Sequence, residues 1–227
     1  MVRGVRSKRV QVDEIWSFTY AKQKNVADAK AAPENAGDTW TWTGIDTDSK
    51  LIVSWLVGAR DTEYAITFMN DLRDRIATRI QLTSDGHKPY LVAVEDAFGA
   101  DVDYAVLQKI YGTDGENEKR YSPAKCLGCK IETIQGDPNP KHINTSYVER
   151  VNLTMQMANR GFTRLTNAFS KKFENHVHMV ALYTVWYNWV RIHKTLRTTP
   201  AMAAGLTERL WDMTEVVEMI DRASLGV

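Results

Sequence analysis

Three runs with the two-residue period of a strand follow one another before residue 58, and that pattern excludes an all-helical bundle. From Arg9 to Thr19, Val10, Val12, Trp16 and Phe18 fall on one side, and Gln11, Asp13 and Ile15 on the other. Asp13 and Glu14 therefore point to opposite faces. Thr39 to Ile45 (TWTWTGI) and Leu51 to Val57 (LIVSWLV) are two more runs rich in β-branched and aromatic residues, joined by the polar turn Asp46–Lys50. Strands so close in sequence predict an antiparallel meander.

After the third run the period changes. Asp61 reads as a helix N-cap, followed at helical spacing by Ala65, Phe68, Met69, Leu72 and Ile76, with the helix expected to run to Arg79. Ile80 to Thr83 predicts a short strand leading into Ser84-Asp85-Gly86. A helix is expected near Pro89 to Phe98, and Tyr104 to Tyr111 is a fifth strand. Residues 112–140 read as an insertion, with a charged glycine-containing loop, a hairpin around Cys126 to Ile134 and a Gly136-Asp-Pro-Asn-Pro140 breaker. Helical spacing resumes with Val148, Val151, Met155, Ala158 and Phe162. A second long helix is expected to carry Met179, Leu182, Tyr183, Trp186, Trp189, Val190 and His193 on one face. The order predicts an α/β fold, a mixed five-stranded sheet flanked by helices, with 1–9 as a basic arm, 10–200 as the main domain and 201–227 as a helical tail.

A chain of 227 residues suits one such domain, and 44% hydrophobic with 25% charged residues lies in the range of chains that fold. Its longest apolar runs, Leu51–Val57 and Met179–Val190, are shorter than the roughly 18 residues of a membrane span. No secretory signal follows the basic start, and two cysteines make no disulfide framework, so a cytoplasmic protein is expected. Cys126-Leu-Gly-Cys129 has zinc-knuckle spacing, but a structural zinc site needs four ligands and no second pair follows. The tryptophans at 40, 42, 55, 186 and 189 are expected in the core rather than stacked on bases. Net charge is only +1, yet from Lys141 to Pro200 the basic residues Lys141, Arg150, Arg160, Arg164, Lys171, Lys172, Arg191, Lys194 and Arg197 face only Glu149 and Glu174. That segment favours a polyanion, although such a run is also what a solvated helical face looks like.

Three acidic residues suit two-metal phosphoryl transfer, which needs hard oxygen ligands converging from separate elements. Asp13 is mid-strand, Asp85 ends a later strand, and Glu149 is in the first turn of a helix that can pack across neighbouring first and fourth strands. Each also has an ordinary reading. Asp13 suits a solvent-facing strand position, Asp85-Gly86 a turn, and Ser146-x-x-Glu149 a capping box.

Five stretches carry a resemblance: Val12-Asp-Glu-Ile-Trp16; Thr83-Ser-Asp-Gly86 with Lys88-Pro-Tyr90; Thr145-Ser-Tyr-Val-Glu-Arg150 with Asn152-Leu153; Phe162 to Ser170; and Tyr187-Asn188 through Arg191-x-His193 to Thr199-Pro200. In this order the sequence resembles the DDE transposases of bacterial insertion sequences, most closely those grouped with insertion sequence 1. The resemblance implies a ribonuclease-H-like catalytic domain that binds the element ends and target DNA. It also implies that Asp13, Asp85 and Glu149 hold two Mg²⁺ ions, with Mn²⁺ able to substitute, and that a homodimer forms in a bacterial, nucleoid-associated setting. The implied chemistry is attack of water on a phosphodiester, then attack of the freed 3′-hydroxyl on target DNA.

Residues expected to contact DNA are Lys141, Arg150, Asn152, Gln156, Arg160, Arg164, Lys171, Lys172, Arg191, His193 and Lys194. Asn152, Gln156 and Arg160 share one side of the Glu149 helix. Gln156 stands where some related transposases have a basic residue, and helix packing is the other reading of His193. Transposases of this kind usually carry a DNA-binding region before the first catalytic strand. Here residues 1–9 precede it, and Arg3, Arg6, Lys8 and Arg9 are expected to add phosphate contacts rather than sequence readout. The competing functions are a stand-alone ribonuclease-H-like nuclease and an inactive DNA-binding remnant.

Overall fold

The computed structural model describes residues 2–112, 126–162 and 168–224. The strand-period runs become β1 (Arg9–Thr19), β2 (Gly37–Asp46) and β3 (Ile52–Gly58), with a short helix α1 (Gln23–Val26) between the first two. They form the expected antiparallel meander, Val10 opposite Asp46 and Trp40 opposite Gly58. Asp46 closes the second turn by accepting from the Ser49 N–H at 2.8 Å, and Lys50 completes it at φ 62°.

Asp61 caps α2 (Thr62–Arg75), its carboxylate accepting from the Tyr64 N–H at 3.0 Å. The helix stops at Arg75 rather than Arg79. Ile76 turns to extended backbone and pairs with Val5, and the Ala77 N–H donates to the Val5 carbonyl at 2.9 Å. Then come β4 (Ile80–Ser84), α3 (Pro89–Phe98), β5 (Val102–Tyr111) and β6 (Cys126–Gln135). The sheet has six strands, not five, in the order β3-β2-β1-β4-β5-β6. β4 runs parallel to β1 and β5, and β6 antiparallel to β5.

The extra strand corrects the expected hairpin at Cys126–Ile134, because that segment is a single strand laid along β5, with Lys109 opposite Cys129. Its residues are exposed from Cys126 to Ile134 and so lack the alternation that marks a strand in sequence. The charged loop expected before it falls largely on residues 113–125, outside the described residues.

The C-terminal half supplies α4 (Ser146–Ala158), α5 (Phe173–Val185), α6 (Pro200–Ala203) and α7 (Met213–Ser224). The helix expected to reach His193 instead widens into a π-helical turn, Trp186–Val190, and ends. Asn188 turns inward there, donating to the Ile52 carbonyl at 2.9 Å and accepting from the Ile52 N–H at 3.0 Å. His193 then pairs with Thr198 in an isolated bridge.

Alternate residues of the sheet feed two cores. Val10, Val12, Trp42 and Leu82 meet Phe68 and Leu72 of α2 and Tyr90 and Val94 of α3 on one face. Ile15, Ile45 and Ile52 meet Val148, Val151 and Met155 of α4 and Val180 of α5 on the other. Each large apolar side chain buried this way contributes about 1.5–3 kcal/mol. Gly44 lets α2 sit close, since a Cβ there would lie 3.2 Å from the Leu72 side chain. Trp42 and Trp189 are buried as expected of core residues, whereas Trp40, Trp55 and Trp186 are half-buried. Among the described residues, no helix is long and apolar enough to cross a membrane.

Candidate active site

Gln11 of β1 fixes the start of α4. Its side-chain carbonyl accepts from the N–H groups of Tyr147 at 2.9 Å and Val148 at 3.1 Å, two of the donors a first helical turn leaves unpaired. Its amide donates to Asn144 at 2.8 Å. Two residues along the same face of β1, the Asp13 carboxylate accepts from Asn152 of α4 at 3.0 Å. Those contacts set the rotation of α4 that brings Glu149 toward β1. Asp85 follows β4 directly and accepts from the His87 N–H at 2.9 Å.

The three acids line one cleft of about 760 Å³, together with Arg60, Lys88, Lys109, His87 and Gln108. Glu149 is engaged within it. Both its oxygens accept from the Lys109 ammonium of β5 at 2.5 Å, and Oε1 also accepts from the Thr145 hydroxyl at 2.5 Å. The capping box expected at Ser146 is thereby corrected. Thr145 is the N-cap residue, and its hydroxyl goes to the Glu149 side chain rather than to a backbone N–H. Among the described residues, no three His, Cys, Asp or Glu side chains stand close enough together to hold a metal ion.

The electrostatics mark Asp13 as the unusual group. Burial, then the charges of Glu14 and Asp85, push its pKa up to about 7, against the opposing hydrogen bond from Asn152. Glu14 lies on the opposite face of β1 and is buried. It accepts from the Tyr90 hydroxyl at 2.8 Å and from Arg60 Nε at 2.7 Å. Burial raises its pKa, as does Asp85, while Tyr90 and Arg60 lower it. Arg60 links this pair to the cleft, lying over the Trp40 ring at 4.6 Å. For Lys109, burial works against the ammonium, but the pairing with Glu149 outweighs it and the pKa is raised.

No protein-family model matches the chain, and no curated protein matches it. Among solved structures, a chain of the simian T-cell lymphotropic virus intasome in complex with PP2A regulatory subunit B56 gamma aligns with a TM-score of 0.50 at 12% identity, over 89% of this chain and 56% of that one. The two share a fold. A chain of the piggyBac transposase synaptic complex with hairpin DNA aligns with a TM-score of 0.36 at 9% identity, over 79% of this chain and 45% of that one. This chain therefore spans about half the length of each of these two chains.

The residues expected to contact DNA divide into groups. Asn152 is buried, and its amide donates to Asp13. Gln156 is half-buried on α4, and Arg160 is exposed just beyond the end of that helix. Lys141, Lys171, Lys172 and Lys194 are exposed, with the Lys171 ammonium 3.5 Å over the Phe169 ring. Arg150, Arg191 and His193 gather at a separate cavity. Arg164 lies outside the described residues. Sequence reasoning missed Glu14, Arg60, Tyr90 and Lys109. Glu14 adjoins Asp13, Arg60 precedes the Asp61 cap and Tyr90 ends the Lys88-Pro-Tyr90 stretch, whereas Lys109 carried no local signal. Cys126 and Cys129 are exposed on β6.

Proposed function

We propose that this chain is the catalytic domain of a DDE-type DNA transposase with a ribonuclease-H-like fold, cutting DNA and transferring strands of an insertion sequence. One observation carries the reading: Asp13, Asp85 and Glu149, from β1, the end of β4 and α4, line a single cleft bordered by three basic side chains. The mixed sheet flanked by helices and the fold shared with an intasome chain support it.

The donor types in the cleft suit divalent cations such as Mg²⁺ or Mn²⁺, and Glu149 would have to leave Lys109 for the three acids to converge on one. All three acids offer hard oxygen donors, and a cation held there would favour the charged form of Asp13, which burial first and then Glu14 and Asp85 disfavour. Glu149 is paired with the Lys109 ammonium. Asp13, Asp85 and Glu149 would hold the ions. When bound, such ions activate the attacking oxygen and stabilise the leaving one.

The chain's own residues do the positioning. Asn152 orients the Asp13 carboxylate, and Gln11 fixes the helix that carries Glu149. Arg60, Lys88 and Lys109 offer positive charge to the phosphates of a strand in the cleft. Water oxygen attacks phosphorus and the 3′-oxygen leaves. That 3′-hydroxyl then attacks a target phosphodiester, forming a new 3′-O–P bond as the target's own 3′-oxygen leaves and takes up a proton, with no covalent enzyme intermediate in either step. Alignment and charge stabilisation supply the rate.

The test is cleavage of labelled duplex DNA with Mg²⁺ or Mn²⁺, against excess chelator, by the wild type and Asp13→Asn. The expected result is cutting that needs the metal and vanishes in the variant while DNA binding persists. Cutting that survives chelator or the substitution, or no cutting by the wild type, overturns the reading. Joining of pre-cut ends into a plasmid separates a transposase from a nuclease, which leaves nicks alone.

A further inference from the structure

A second cavity, of about 220 Å³, lies on the other flank of α4. It is lined by Lys50, Arg150, Arg191 and His193 with Tyr147 and Tyr187. On a helix turning 100° per residue, Tyr147, Arg150 and Thr154 lie opposite Thr145, Glu149 and Asn152, so cleft and cavity use opposite sides of one helix. No carboxylate lines the cavity, and among the described residues neither Arg150 nor Arg191 forms an ion pair.

The cavity is built rather than incidental. Lys50 is presented by the tight turn between β2 and β3, at φ 62°, and its ammonium lies 3.5 Å from the centre of the Tyr147 ring. Two hydrogen bonds between Asn188 and Ile52, one donated by each, clamp the π-helical turn onto the start of β3, which holds the Arg191–Thr195 segment beside Lys50 and α4. The His193 ring packs edge-on to Tyr187, and its Nδ1 lies 3.0 Å from the Thr195 hydroxyl. Burial lowers the pKa of both Lys50 and His193. Arg191 and Lys50 lower His193 further, and Arg9 acts the same way on Lys50 against the pull of Asp48 and Asp46. Cations crowded without a lining carboxylate call for an anion.

The geometry points to this cavity as a dedicated phosphate-binding site, one that grips a backbone phosphate of a nucleic-acid strand on the far side of α4 from the cleft. The inference rests on the nucleic-acid reading above. It adds Lys50, and it gives Arg150, Arg191 and His193 one shared ligand in place of scattered surface contacts.

The test measures binding of a short fluorescein-labelled DNA strand by anisotropy across a salt series, for the wild type, Arg150→Glu, Arg191→Gln, Lys50→Ala and the remote exposed variant Lys24→Ala. Arg150 is exposed, so its substitution leaves the fold intact, which melting curves check. Each pocket variant is expected to lose affinity roughly tenfold and to reduce the salt slope by about one phosphate contact, with Lys24→Ala unchanged. Unchanged binding in Arg150→Glu overturns the inference, as does an equal loss in Lys24→Ala, which marks diffuse attraction. Metal-dependent cleavage, scored in parallel on the wild type, separates the two claims. Cleavage without a pocket effect removes this inference alone, and a pocket effect without cleavage removes the catalytic reading alone.

Discussion

The two faces of the sheet draw on alternate residues of the same strands but are fastened differently. Toward α2 and α3, β1 presents Val10 and Val12, which meet Phe68, Leu72 and Val94 in an apolar core, with Glu14 farther along bonded to Tyr90 of α3. Toward α4 and α5 it presents Gln11, Asp13 and Ser17, which bond to the first turn of α4, to Asn152 and to His176. Apolar burial is non-directional and holds a helix down without fixing its rotation closely. Hydrogen bonds weaken steeply with angle, so the polar face fixes which way α4 points its side chains. The acids of the cleft depend on the second kind of fastening, and overall stability on the first.

The largest expected effect tests the apolar side. Phe68→Ala removes a fully buried ring and should cost about 3–5 kcal/mol in urea unfolding. A loss under about 1 kcal/mol would break the contrast between the faces.

Next in size is a pH effect on the polar side. His176 is buried, its Nε2 3.2 Å from the Ser17 hydroxyl and its Nδ1 3.3 Å from the Ser170 hydroxyl, and burial lowers its pKa to about 4. The unfolded chain takes up this proton below about pH 6.5 and the folded chain only near 4. Stability therefore falls as pH drops through that window, by about 3 kcal/mol in total. Unfolding measured at pH 7 and pH 4.5 should show the loss in the wild type, and His176→Gln should remove most of it.

A smaller stability loss, about 1–3 kcal/mol, is expected for Gln11→Ala, which leaves two N–H groups of α4 without their acceptor. Asn152→Ala should cost about 1 kcal/mol, since it ends one hydrogen bond to Asp13. Both should reduce DNA cleavage more than Phe68→Ala does when each is assayed well below its melting temperature. Equal activity in all three would show that the polar face does not position the acids.

The apolar side was also the more legible in sequence. The alternation of β1 to β3, the Asp61 cap and the Pro89 start of α3 are local signals, and each marks an element that forms, although α2 ends four residues early. β6 was misread because a fully exposed strand has no apolar side to reveal its period. The early end of the last long helix was hidden because the bond between Asn188 and Ile52 joins residues 136 positions apart. The same distance problem hides the site's partners. Alternation correctly sent Asp13 and Glu14 to opposite faces, but nothing near Glu149 announces Lys109, forty positions away, and nothing near Glu14 announces Tyr90.

The central claim is that this polar face aims three carboxylates at one cation-binding cleft, and a crystal soaked in Mn²⁺ tests it most directly. The account predicts an anomalous peak between the carboxylates of Asp13 and Asp85, with Glu149 released from Lys109 and turned toward the metal. A cleft without such a peak at saturating Mn²⁺, with Glu149 still paired to Lys109, would contradict it.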